Sequence, residues 1–326
     1  MKYNQLGHSD LQVSRLCLGT AFRSGCDAAT CVAAIHQAAD LDCNYLDCAN
    51  VYRQGFSERA VGQAIKGRRD QFIISTKVGA AMDGGPGDGG QTREKILSAV
   101  EESLARLNTD YLDCYLCHFP DPDTPLDETL AALDALVRAG KTRSIGCSNY
   151  EPWRLAEALK ISQREGMASF VCHQMQYNML HRVQEEEMMP LCESHRIGMT
   201  VYAPTAIGLL SGRYRRGQAP PEGTSWHRGP YNYREAMTTE VDGVIATLLQ
   251  IAEQHGRTPI QVAMAWCLHR PTVSSVIIGA DTPQRVSDNF GAADWALPDT
   301  DWQSLCDAFE GHCLTIRKDC PEGYQP

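Results

Sequence analysis

The chain has 326 residues, 43% hydrophobic and 21% charged, the balance of a soluble globular protein and an ordinary length for one α/β barrel. Thirty Lys and Arg against 40 Asp and Glu give a formal net charge of −10, which argues against a nucleic-acid binder, because neutralising phosphates needs a cationic surface. The opening MKYNQLGHSDLQVS has no apolar signal-peptide core, and no run approaches the roughly 18 apolar residues of a membrane span, so the expected location is the cytoplasm, with no membrane or nucleic-acid partner.

In chain order, KYNQLGHSDLQV (2–13) carries a Gly-His-Ser-Asp turn between extended pieces and reads as a β-hairpin. Eight short apolar runs follow: RLCLGT (15–20), NYLDCA (44–49), QFIISTKV (71–78), YLDCYLCHF (111–119), TRSIGCSN (142–149), FVCHQMQYN (170–178), GMTVYAP (198–204) and SSVIIGA (274–280). Helix-like stretches lie between them, clearest at 28–41, 92–107, 126–141 and 240–256. The last two have apolar spacing near 3.6, with Gly140 and Gly256 as C-terminal stops. A doubly wound sheet would carry a glycine fingerprint after its first strand, and LCLGTAFRSG is not G-x-G-x-x-G. The alternation therefore predicts a (β/α)8 TIM barrel. It forms one domain over 1–326 with a core of about 13–291, the hairpin before it, and a helix TDWQSLCDAFE and a tail ending IRKDCPEGYQP after it. Two long loops, 79–91 with six glycines and 205–238, follow strands three and seven. That is the face where barrel active sites are built.

Fourteen cysteines are scattered along the chain, seven of them (17, 43, 48, 114, 117, 147 and 172) in strand-like runs or at their ends. They read as buried free thiols. Cys114-Tyr-Leu-Cys117-His118 has the spacing of a c-type haem attachment string, but it sits inside an apolar strand pattern and is rejected as one. His181, His195, His255 and His269 have no metal-ligand spacing, so no metal is expected. Glu185 to Glu187 reads as the solvated opening of a helix, and Met188 and Met189 as packing. Trp226 and His227, in the second long loop, are candidates for reaching a substrate.

Ionisable and polar residues gather at the C-terminal ends of the runs. The second delivers Asp47 and leads to Tyr52, the third delivers Lys77 and the fourth His118. The fifth delivers Ser148 and Asn149, the sixth Gln174 and the seventh Tyr202. A tyrosine hydroxyl is a poor acid at neutral pH. An adjacent ammonium favours its phenolate, and a carboxylate holds that ammonium charged. A histidine facing the same point can orient a carbonyl. The set suits proton delivery to a carbonyl oxygen as charge develops on it.

The strings KYNQLGHSDLQVSRLCLGT, YLDCANVYRQGFSERAVGQAI, IISTKVG, YLDCYLCHFPD, IGCSNY, QMQYN, YAPTAIGLLSGRY and VIIGADTPQRVSDNF occur in this order, from about residue 2 to 291. Together they resemble the aldo-keto reductase superfamily. The resemblance implies a catalytic tetrad of Asp47, Tyr52, Lys77 and His118, with Tyr52 as general acid, and hydride transfer from a nicotinamide cofactor to a small-molecule carbonyl substrate. It implies NADPH as the usual cofactor, with NADH use open. It also implies that Ser148, Asn149 and Gln174 hold the carboxamide, that Tyr202 stacks on the nicotinamide, and that Gly19, Thr20 and Asp47 lie near its ribose. Gly208, Leu209, Ser211 and Arg213 would wrap the pyrophosphate. Gly279, Asp281, Arg285, Asp288 and Asn289 would hold the adenosine end. Asp281 departs from the family pattern, because many NADPH-preferring relatives carry a basic or hydroxyl residue there. A carboxylate would repel a 2′-phosphate, whereas Arg285 would attract one.

Two rival readings remain. Lys77 could form a Schiff base in an aldolase or isomerase on the same barrel. Alternatively the chain could hold the cofactor without turnover, as accessory or sensing chains similar to this family do, the potassium-channel beta subunits among them.

Overall fold

The computed structural model describes residues 1–82, 89–229, 231–309 and 313–314. The centre of the glycine-rich loop (83–88) and the tail from 315 lie outside the described residues.

Two short strands, β1 (Tyr3–Gln5) and β2 (Gln12–Ser14), pair antiparallel as the opening hairpin. Each of the eight apolar runs then becomes a parallel strand. They are β3 (Leu16–Gly19), β4 (Tyr45–Asp47), β5 (Ile73–Val78), β6 (Leu112–Cys117), β7 (Thr142–Ser148), β8 (Phe170–Gln176), β9 (Gly198–Tyr202) and β10 (Val273–Gly279). They pair in sequence, and β10 closes on β3, with Gly279 opposite Gly19. Helices cover the outside of the barrel and side chains fill its inside, which is why these strands are apolar on both faces.

Alternate residues of each strand serve two cores. Leu16, Leu18, Leu46 and Ile74 belong to the large core shared with the helices. Cys17, Tyr45, Cys114, Leu116, Cys172 and Ile277 form a separate inner core, joined by Leu6, Leu11 and Val13 of the hairpin segment. The hairpin turn is pressed against the starts of β8 and β9. Gly7 has φ +60, and a Cβ there would lie 2.0 Å from the Val171 carbonyl oxygen and 2.7 Å from the Gly198 nitrogen. The hairpin is thus the floor of the barrel.

The helices end where the sequence places stops. Leu126–Arg138 and Thr239–Gln254 are each followed, after one capping residue, by a left-handed glycine, Gly140 (φ +71) and Gly256 (φ +59). Thr92 and Thr238 cap their helices through side-chain oxygens, and Thr258 and Gln261 form a reciprocal capping box. The expected final helix forms over Asp299–Asp307.

Two sequence expectations are corrected. Glu185 is no solvated face. It closes a 3-10 turn (Val183–Glu185), and its carboxylate takes Arg182 at 3.0 Å, Arg270 at 2.9 Å and the Tyr177 hydroxyl at 2.6 Å. Arg270 reaches it from just before β10, a pairing invisible to local periodicity. Trp226 does not reach outward to a ligand. It is buried, donates from Nε1 to the Ile207 carbonyl at 3.1 Å, and packs its ring on Tyr231 and Tyr233. That anchors the long loop after β9, which contains short helices at Ser225–Arg228 and Tyr233–Ala236.

Every described cysteine is a free thiol, and Cys114 and Cys117 are buried in β6. No group of three or more His, Cys, Asp or Glu among the described residues could hold a metal ion, and no described helix is long and apolar enough to cross a membrane.

Candidate active site

The strand ends converge at one mouth of the barrel because parallel strands in register bring their last residues level. Asp47 pairs across to Gly19 on one side and Ser75 on the other, and Ser148 pairs with Gln174. Period-two alternation puts Ser75 and Lys77 on the same, inward face of β5.

Asp47 is buried, and its carboxylate is fully engaged. Lys77 Nζ donates to Oδ2 at 2.7 Å, while Ser75 Oγ and Gln174 Nε2 donate to Oδ1 at 2.9 and 2.8 Å. Lys77, with no solvent exposure, also donates to the Cys48 carbonyl at 2.6 Å and reaches the Tyr52 hydroxyl at 3.3 Å. Burial alone would push Lys77 down, but Asp47 and then Tyr52 outweigh it and hold the ammonium above its ordinary value. A Schiff-base lysine needs the neutral amine, and this setting opposes it.

Tyr52 stands beside this charge, half-buried. Lys77 pulls its hydroxyl toward phenolate, as the sequence suggests, yet burial is the larger influence and the net shift is upward. The hydroxyl therefore stays protonated at neutral pH. His118 meets the Tyr52 ring edge-on, centroids 5.9 Å apart, and stacks on Phe119. Burial, then the Lys77 charge, push His118 down to about 3, so its ring is neutral. Its Nδ1 is buried with no hydrogen-bond partner among the described residues.

A second network joins the next strands. Asn149, left-handed at φ 60, donates to the His118 carbonyl and to Ser148 Oγ, both at 3.0 Å, and accepts from the Tyr202 hydroxyl at 2.7 Å. Thr20 is buried, and its hydroxyl donates to the Asp47 carbonyl at 2.9 Å. It braces the acid-bearing strand end. Sequence reasoning assigned Gln174 to a ligand and overlooked Ser75. The signal for Ser75 was its place two residues before Lys77.

Backbone strain gathers at this mouth. Phe22, Arg53, Gln54, Ala203, Ala206 and Ile207 are all left-handed, with φ between 44 and 57. For a β-branched or bulky residue that conformation is costly and marks a constrained site.

The remaining expected residues line the rim between β9 and the helix after β10. Gly208 has φ +91 and begins a 3-10 turn, Leu209–Ser211, in which Leu209 is buried. Arg213 is exposed, its Nε 3.3 Å from Ser211 Oγ. Gly279 is exposed, and a Cβ there would meet nothing within 4 Å, so neither packing nor a positive φ explains a bare backbone at this point. It leads into the helix Pro283–Phe290, capped by Thr282. Asp281 accepts from the Ser24 N–H at 3.0 Å and lies 3.9 Å from Arg285 Nη1. Asp288 accepts from Gln284, and Asn289 is buried.

The family model for the aldo/keto reductase family matches residues 15–309. The chain belongs to the aldo/keto reductase family. Among its curated relatives is a protein of Arabidopsis thaliana named a probable voltage-gated potassium channel subunit beta. It is 36% identical over 307 residues, covering 90% of this chain and 92% of that one. The L-glyceraldehyde 3-phosphate reductase of Escherichia coli K12 is 32% identical, covering 90% of this chain and 87% of its own length. An uncharacterized oxidoreductase of Bacillus subtilis is 31% identical over 95% of this chain and 97% of its own. This aldo/keto reductase chain thus spans nearly the full length of relatives named both for a reductase activity and for a channel subunit.

Proposed function

We propose that the protein is an NADPH-dependent reductase of small aldehydes or ketones, with Tyr52 as the general acid and with NADH as a second, weaker cofactor. The observation that carries this reading is the chain of contacts Asp47–Lys77–Tyr52, at 2.7 and 3.3 Å, beside a neutral His118.

The residues fit a dinucleotide. Gly279 leaves open space above its backbone just before a helix N-terminus, a place suited to a phosphate. Asn149 and Gln174 present amides at the centre of the mouth, and Tyr202 offers a ring there. Arg213 and Arg285 supply cations along the rim for the pyrophosphate and the 2′-phosphate. A bound reduced nicotinamide would supply a hydride to the carbonyl carbon. As the carbonyl oxygen gains charge, the Tyr52 hydroxyl gives it a proton. Lys77 stabilises the phenolate left behind, Asp47 keeps Lys77 charged, and neutral His118 donates a hydrogen bond that orients the carbonyl. The products are an alcohol and the oxidised cofactor.

The names of the plant relatives favour a second reading, a cofactor-binding accessory chain of a membrane protein. The intact constellation around Tyr52 favours turnover instead, because a chain that only binds has no need of a charged lysine buried beside a tyrosine. The test is loss of reduced-nicotinamide absorbance when purified protein meets NADPH or NADH and a panel of aldehydes, ketones and aldoses. Turnover supports the reductase. Tight cofactor binding without turnover across the panel supports the accessory chain.

A further inference from the structure

Beside Tyr52 the loops after β3 and β4 form an open pocket of about 310 Å3, lined by residues 21–23, 25 and 51–53. Its volume is at the small end for ligand sites and suits a molecule of a few carbons. Its charge is what stands out. Two guanidinium-bearing residues, Arg23 and Arg53, line it, and no acid does, in a chain whose net charge is −10.

Arg53 is held in place rather than loose. Its Nη1 donates to the Cys26 carbonyl at 2.8 Å, and its guanidinium sits 3.8 Å from the centre of the Phe56 ring. Its backbone is left-handed at φ 50, as is that of Gln54 at φ 51, a strain maintained only where the surroundings demand it. Among the described residues no carboxylate lies within ion-pair distance of Arg53 or Arg23. The acid bonded to this loop, Asp281, is taken by the Ser24 N–H and faces Arg285. A guanidinium has five N–H donors in a planar fork, and the described contacts of Arg53 use one of them. A fixed arginine with donors to spare is suited to a planar or tetrahedral oxyanion.

We infer that the favoured substrates are short aldehydes bearing a terminal anion, phosphate or carboxylate, with the carbonyl at the Tyr52 hydroxyl and the anion on Arg53 and Arg23. This rests on the reductase reading above and adds the substrate class. Arg23 and Arg53 are then specificity residues.

The test compares kcat/KM for matched pairs, glyceraldehyde 3-phosphate against glyceraldehyde and succinate semialdehyde against butanal, in the wild type, Arg23→Gln and Arg53→Gln. The expected result is a preference for the charged member of at least one pair. It falls about tenfold with each arginine removed, while raised ionic strength raises KM for the charged substrate alone. The ratio within a pair is the readout, because a variant that merely folds poorly lowers both members together. The pair that shows the preference tells phosphate from carboxylate. Equal kcat/KM within both pairs would overturn the inference and leave the reductase reading standing. Calorimetry of glycerol 3-phosphate and succinate against glycerol, on cofactor-loaded protein, serves without turnover. Binding of an anion that Arg53→Gln abolishes upholds the arginine site, and no binding of either anion overturns it.

Discussion

At the residue scale the site depends on a buried charge pair whose two members need each other. Lys77 and Asp47 are out of solvent, and Asp47 gathers three donors. Removing one member strands the other, which costs about 3–5 kcal/mol, whereas replacing both by apolar groups is often nearly neutral. Asp47→Asn is therefore expected to lower unfolding stability in urea by that amount, and Asp47→Leu with Lys77→Met to recover most of it. A single variant within about 1 kcal/mol of the wild type would mean the pair is not closed to water. Asp281 makes a separate point. Its carboxylate, facing Arg285 at 3.9 Å, would compete for that arginine with the 2′-phosphate of the proposed NADPH. Asp281→Ser is expected to raise the ratio of NADPH to NADH affinity, and Arg285→Ala to lower it. Fluorescence titration with each cofactor checks both, and an unchanged ratio in Asp281→Ser would remove Asp281 as a specificity determinant.

At the scale of elements, the strands do two jobs. Their alternate residues build the inner core, and their last residues build the site. The hairpin stops the opposite end, and its fit is close. Gly7→Ala would force both a left-handed alanine and a Cβ 2.0 Å from the Val171 carbonyl oxygen. A loss of at least about 2 kcal/mol is expected, more than the roughly 1 kcal/mol typical of a point substitution. Thermal unfolding measures it. An unshifted midpoint would show that the hairpin is no part of the cooperative unit. Much of this layer was legible in the sequence. All eight runs became strands within two residues of their expected ends, because a strand buried on both faces is a short continuous apolar run bounded by turn residues. Asp47, Lys77 and His118 could be found because an ionisable residue closing such a run has to be explained. What escaped was contact between distant segments. Nothing local to Glu185 announces Arg270, and nothing local to Gln174 announces Asp47. Trp226 looked like a loop aromatic free to meet a ligand, and only packing against Tyr231 and Tyr233 shows it to be an anchor.

At the scale of the whole molecule, buried neutral histidines tie stability to pH. Burial holds His118 at about 3, and burial holds His173 at about 4. In the unfolded chain both titrate near 6.5. Between those values the unfolded chain binds protons that the folded chain refuses, so their contribution is intact above pH 6.5 or so and is lost as pH falls toward 4 and 3. Carboxylates held below their ordinary range, such as Glu185 and Asp121, titrate later in that fall. Urea midpoints from pH 8 to pH 5 are expected to start declining below about 6.5, and His173→Leu to flatten the decline. A curve level down to pH 5 would mean these rings take up protons in the folded state.

The measurement that bears most directly on the central claim is single-turnover reduction by Tyr52→Phe, with cofactor binding followed on the same sample. The account predicts that binding and thermal midpoint stay close to the wild type while the rate falls by about 10²–10⁴, the usual worth of a general acid. A Tyr52→Phe protein that folds, binds its cofactor and reduces aldehydes at the wild-type rate would contradict it, because the proton would then come from elsewhere and the Asp47–Lys77–Tyr52 contacts would be framework alone.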